Sequence, residues 1–72
     1  MSTVPRLSGR DCIQALARAG WGWTSTKGSH AKLSKAGCRS IIVPLHDELD
    51  RGTLRAIIRQ SGLSVEQFVE LL

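Results

Sequence analysis

With 72 residues, 42% of them hydrophobic and 22% charged, the chain has the composition of one small globular domain spanning residues 1–72, too short to enclose a deep substrate cavity. Purely apolar runs are no longer than Ile41-Ile42-Val43, and Met1 to Ser8 is polar and broken by Pro5, so neither a membrane span nor a signal peptide is expected and the chain reads as cytoplasmic. The net charge of +4 is polarised: residues 1–46 carry +6 and the remainder −2, and Lys27 to Arg39 holds four positive charges and no negative one, a pattern suited to a phosphate backbone.

In chain order, Ser8 followed by Asp11 resembles a capping box with Asp in place of Glu. Cys12, Ile13, Leu16, Ala17 and Ala19 then recur at helical spacing, predicting a helix over about 9–19 that Gly20 ends. Trp21 to Thr26 is aromatic and β-branched, Ser29 to Leu33 alternates, and Arg39 to Val43 is again β-rich, with Lys35-Ala36-Gly37 as a turn. Three short antiparallel strands follow from this pattern. Beyond Pro44 an acidic turn leads to Thr53, which is expected to cap a helix whose buried stripe is Leu54, Ile57 and Ile58, up to Gly62. Ser64 with Gln67 forms a second capping box and opens a short last helix with Val65, Phe68, Val69, Leu71 and Leu72. The order αβββα with an extra C-terminal turn of helix predicts a two-layer α+β domain, helices on one face of a three-stranded antiparallel sheet.

Strand periodicity gives His30 its place. If Ala31 and Leu33 face the core, His30 and Lys32 face away from it, because successive side chains alternate. An exposed histidine beside lysines is a group able to take or give a proton near neutral pH next to phosphate-binding charge. Trp21 and Trp23, two apart, are expected on one strand face, as packing rather than as a stacking platform for bases. Cys12 and Cys38 lie in no Cys-x-x-Cys pair and at no zinc-ligand spacing with His30 or His46, so both read as free buried thiols. Asp47, Glu48 and Asp50 lack the spacing of an oxygen-ligand loop and read as a solvated turn, leaving no metal site and no cofactor expected.

Several motifs in register, Gly28-Ser29-His30, Val43-Pro44-Leu45-His46, Gly52-Thr53-Leu54-Arg55-Ala56-Ile57-Ile58 and Gly62-Leu63-Ser64 with Phe68, are similar to those of the HicA toxins of bacterial HicB-HicA toxin-antitoxin systems. The similarity runs from Leu16 to Leu72; where many members follow the histidine with a second histidine or an aromatic, this chain has Ala31 and Lys32. The resemblance implies a double-stranded-RNA-binding-domain-like αβββα fold and an mRNA interferase, an endoribonuclease whose required histidine corresponds to His30. It also implies a HicB-type antitoxin that covers the active face and alone links the toxin to operator DNA. Complementarity to a basic domain makes that antitoxin acidic.

In such an enzyme His30 would be the catalytic residue, acting as general base on the ribose 2′-hydroxyl. Lys27, Lys32 and Lys35 would stabilise the phosphate, Gly28 would allow close backbone approach, and Ser29 would donate to the phosphate or orient the imidazole. His46 is the one available second histidine. A non-catalytic RNA-binding module of the same fold is the alternative. A helix-turn-helix over Leu54 to Leu72 is disfavoured, because its recognition helix would bring Glu66 and Glu70, and no Lys or Arg, to phosphates.

Overall fold

The computed structural model describes residues 4–72. Helix α1 (Gly9–Arg18) is followed by strands β1 (Gly22–Lys27), β2 (His30–Ser34) and β3 (Ile41–Pro44), then helices α2 (Arg51–Ser61) and α3 (Val65–Glu70). The strands form one antiparallel sheet in the order β1-β2-β3, so β2 is central. The helices pack on one face of it, giving the expected two-layer α+β arrangement.

Each helix begins where a short polar side chain can satisfy free backbone donors. Ser8 Oγ accepts from Asp11 N at 3.1 Å to start α1, and Ser64 Oγ with Gln67 closes a reciprocal capping box at α3. At α2 the expectation of Thr53 as cap is corrected: the N-cap is Asp50, and Thr53 is the residue it caps, donating both its N–H (3.0 Å) and its hydroxyl (2.6 Å) to the Asp50 carboxylate. A carboxylate placed three residues upstream reaches both donors at once, which a threonine hydroxyl at the helix start would not.

The core is drawn from every element but β1, all of whose residues are exposed. Ala31, Leu33, Ile41 and Val43 project from the sheet onto Cys12, Ile13, Ala15 and Leu16 of α1 and Leu54, Ile57 and Ile58 of α2, while Phe68 closes it from α3. Burying each of the larger aliphatic side chains contributes roughly 1.5–3 kcal/mol before entropy is counted. Ala15, rather than Ala17, takes the buried position on α1, and Ala17 is exposed. The thiols also separate: Cys12 is buried, its pKa pushed up to about 12 by desolvation, whereas Cys38, in the β2–β3 turn, is free and exposed rather than buried.

Two contacts tie α1 to the far end of the sheet. Gly9 N–H donates to His46 O at 2.9 Å, and a Cβ on Gly9 would lie 2.0 Å from Pro44 O. Only glycine lets the helix start that close to the strand end. Gly9→Ala is therefore expected to destabilise the fold by about 1–3 kcal/mol, read as a lower urea midpoint with an unchanged slope.

Asp50 supplies a pH dependence. Its pKa is held below the ordinary carboxylate value of 3.8, first by the Thr53 hydroxyl and then by the Thr53 N–H. A depressed folded value means that its stabilising contribution is present above 3.8 and is lost as pH falls through the lower folded value. Asp50→Asn keeps a capping oxygen without the charge. It should reduce the loss of urea stability on acidification below about pH 4, and an unchanged acid limb in the variant would refute this.

Candidate functional site

The side of the sheet away from the helices is open, and β2 sorts its residues across it. Ala31 and Leu33 are fully buried, while His30 and Lys32 are exposed on the other face, as the alternation predicts. His30 pairs with Lys27 of β1 on one side and Pro44 of β3 on the other; Lys32 pairs with Ser25 and Ile42. Directly opposed residues share a face with Cβ atoms about 4.5–5.5 Å apart. The result is a shallow depression of about 490 Å³ lined by Ser25, Lys27, His30, Lys32 and Ile42.

Two local devices build this arrangement. Gly28 and Ser29 form a two-residue turn joining Lys27 to His30, with φ +60° at Gly28 and no positive φ at Ser29. That is the signature of a type II′ turn, which takes glycine at its first central position. Gly28 thus serves the hairpin, and the Ser29 carbonyl accepts from Leu45 N–H at 2.7 Å, pinning the turn to the segment that follows β3. The second device is a β-bulge between Trp23 and Ser25. Trp23 pairs with buried Leu33 and so faces the helices; strict alternation would carry Ser25 and Lys27 to that same face. The extra residue, Thr24, resets the phase and turns both toward His30, its hydroxyl bonding Lys32 O at 3.2 Å across the irregularity.

Trp21 packs, as expected, whereas Trp23 is 43% exposed, and neither is on the face that carries His30. Trp21 is buried just before β1. Trp23 lies under the Arg10 guanidinium of α1, 5.8 Å from the ring centroid, and its indole N–H donates to Thr26 Oγ1 at 2.8 Å.

Residues 9–63 match the family model described as HicA toxin of bacterial toxin-antitoxin. The chain belongs to the HicA toxin family. Among solved structures it is similar to a chain of a toxin-antitoxin complex from Streptococcus pneumoniae, at 40% identity and a TM-score of 0.73, over 79% of this chain and 98% of that one. No curated protein matches. The αβββα fold expected for a HicA toxin, similar to a double-stranded-RNA-binding domain, is the fold observed, with α3 as the extra turn.

Of the residues singled out in the sequence, Lys27, His30 and Lys32 come together in the depression of this HicA chain, with Gly28 and Ser29 at its rim. Lys35 does not join them. Its Nζ donates to Ala19 O at 2.8 Å, placing a cation on the C-terminal carbonyls of α1, at the opposite end of β2 from His30. His46 is exposed and outside the depression, engaged through its carbonyl with Gly9. Ser25 and Ile42 were not signalled: Ser25 reaches the site only through the bulge, and Ile42, 48% exposed, is the outward member of an apolar strand. Among the described residues no group of three or more His, Cys, Asp or Glu is arranged to hold a metal ion, and no helix is long and apolar enough to cross a membrane.

The placement of Lys35 predicts a separation of effects. Lys35→Ala should lower folding stability by about 0.3–1 kcal/mol and Lys32→Ala should leave it nearly unchanged, both measured by chemical denaturation. Equal effects would mean that the α1 contact contributes nothing.

Proposed function

We propose that this HicA-family chain is an endoribonuclease, an mRNA interferase of the cytoplasm, in which His30 is the catalytic residue. The observation that carries the proposal is the exposed imidazole at the head of β2 between Lys27 and Lys32, on a sheet face whose lining side chains include no carboxylate. A polyanion can approach that face without repulsion, and a proton acceptor waits where its phosphodiester would lie.

The reaction needs only the RNA and these side chains. His30 takes the proton from a ribose 2′-hydroxyl, the 2′-oxygen bonds to the adjacent phosphorus, and the bond from phosphorus to the 5′-oxygen breaks. A cyclic 2′,3′-phosphate and a 5′-hydroxyl result, with a proton delivered to the leaving oxygen from solvent. General-base action of this kind contributes roughly 10²- to 10⁴-fold. Lys27 and Lys32 stabilise the charge that accumulates on the phosphoryl oxygens, while the Gly28-Ser29 turn offers backbone and a hydroxyl at the rim. A single histidine makes a slow enzyme, which suits a toxin whose damage accumulates.

An antitoxin completes the proposal. The similar pneumococcal structure is a toxin-antitoxin complex, and a HicB-type partner with an acidic surface would be steered to this basic face and occlude His30. Contact with operator DNA would come through that partner.

Expression of the wild-type chain from a tightly controlled promoter should arrest growth with fragmentation of mRNA, and His30→Ala should do neither while still binding RNA. In purified form, a 2′-deoxy sugar at the scissile position should abolish cleavage. Arrest by both chains alike would point to a non-catalytic RNA-binding module, and cleavage of the 2′-deoxy substrate would exclude the transesterification.

A further inference from the structure

The helix side of the molecule carries a charge pattern that the core does not use. On α2, Arg51, Arg55 and Arg59 are exposed and recur every fourth residue, about 6 Å apart along the axis. On α3, Glu66 and Glu70 are exposed at the same spacing, each following a valine, Val65 and Val69. The turn Gly62 to Ser64 joins the two helices. Between them lies a groove of about 320 Å³, with Ile58, Leu63 and Val65 as its apolar lining and Arg55 and Arg59 on its α2 wall.

Val69, one turn beyond Val65 on the same side of α3, is apolar and yet 41% exposed. Successive helical residues turn by about 100°, so Glu66 and Glu70 form the next row outward from that valine ridge. Across the surface the order is therefore a positive row, an apolar strip and a negative row.

That order selects the occupant. An RNA backbone or a uniformly acidic protein would answer the arginine row and bring its own negative charge onto Glu66 and Glu70. Phosphate also gains nothing from the apolar lining of the groove. A fitting partner presents an acidic row, an apolar ridge and a basic row in reverse, and a second copy of this chain does so when related by a twofold axis running along the groove.

We infer that α2 and α3 form a self-complementary face through which two copies of this chain pair. Val69 of each enters the groove of the other, Arg59 meets the partner's Glu66, and Arg55 meets the partner's Glu70. The helices lie on one side of the sheet, so the pairing leaves His30 and its lysines open on both outer surfaces of the dimer. A polymer long enough to reach both surfaces is held at two points, and the first contact raises the local concentration for the second. The inference stands apart from the chemistry proposed for His30.

A face of two short helices is smaller than the roughly 1,600 Å² of a standard interface, so the pairing is reversible and depends on concentration. The net charge of +4 on each chain opposes it at low salt. The test therefore uses the full-length chain at physiological ionic strength, where the Debye length of about 8 Å leaves mainly neighbouring charges to act. His30→Ala, on the opposite face, serves as the parent so that expression is tolerated.

Sedimentation velocity of this parent, up to about 1 mM, should show a monomer–dimer equilibrium. Arg55→Glu with Arg59→Glu makes both rows acidic and should weaken pairing at least about tenfold, as should Glu66→Arg with Glu70→Arg, which makes both basic. Mixed in equal amounts, the two charge variants should pair with each other as well as the parent pairs with itself. Val69→Ser alters no charge and should weaken pairing about tenfold. Circular dichroism of each variant separates loss of pairing from loss of fold.

A parent that sediments as a monomer throughout overturns the inference, and so does a mixture of folded charge variants that stays monomeric. If a charge variant does not fold, Val69→Ser decides, and undiminished pairing in it overturns the interface. A monomeric parent whose arginine variant alone loses affinity for a short RNA, or for an acidic antitoxin, assigns the groove to that ligand in place of a second copy.

Discussion

Helices cover this sheet on one side only, and β2, with a neighbour on each flank, has to satisfy both consequences. Its inward residues must be small or aliphatic enough to close a core against α1 and α2, and Ala31 and Leu33 are fully buried there. Its outward residues must tolerate water on a surface no helix protects, and His30 and Lys32 do. The candidate chemistry therefore sits on the most rigidly held strand of the molecule, hydrogen-bonded on both edges, while the side chains that carry it remain free to meet a large ligand. A shallow, exposed site of this kind suits a ligand laid across a surface more than a small molecule enclosed in a cavity.

Charge is arranged by the same division. The carboxylates are kept to α1, the β3–α2 turn and α3, and the turn puts Asp50 to structural use as the cap of α2. Lys35 shows that a basic residue inside a basic segment can be spent on the fold, because its ammonium completes the end of α1. Counting positive charges between Lys27 and Arg39 thus overstates what faces one ligand patch. What remains on the open face is a smaller set of cations whose positions follow from strand register.

Much of this was legible in the sequence. The order of elements follows from caps and periodicity, each strand lying within one or two residues of its expected bounds, and the outward position of His30 follows from the alternation around it. The family followed from several motifs in register, not from any one of them. Less was visible where a contact joins residues distant in the chain. Nothing local says that Gly9 must lack a side chain, since the reason is the carbonyl of Pro44. The cap of α2 was misplaced because threonine and aspartate both cap helices well, and which one does so depends on a backbone turn the sequence leaves open. Cys38 looked like a core thiol by residue type and is exposed by its place in a turn.

The bulge in β1 lets the strand carry one residue of extra length without disturbing the site. Between Trp23, which lies under Arg10 of α1, and Lys27, which stands beside His30, there is one residue more than a regular strand would use. The bulge absorbs that residue: without Thr24 a regular strand would pair Trp23 with Leu33 and Lys27 with His30, and each would keep its face. A single-codon deletion at the bulge is thus silent in surface character, whereas the full-length strand paired without its bulge would turn Lys27 toward the helices.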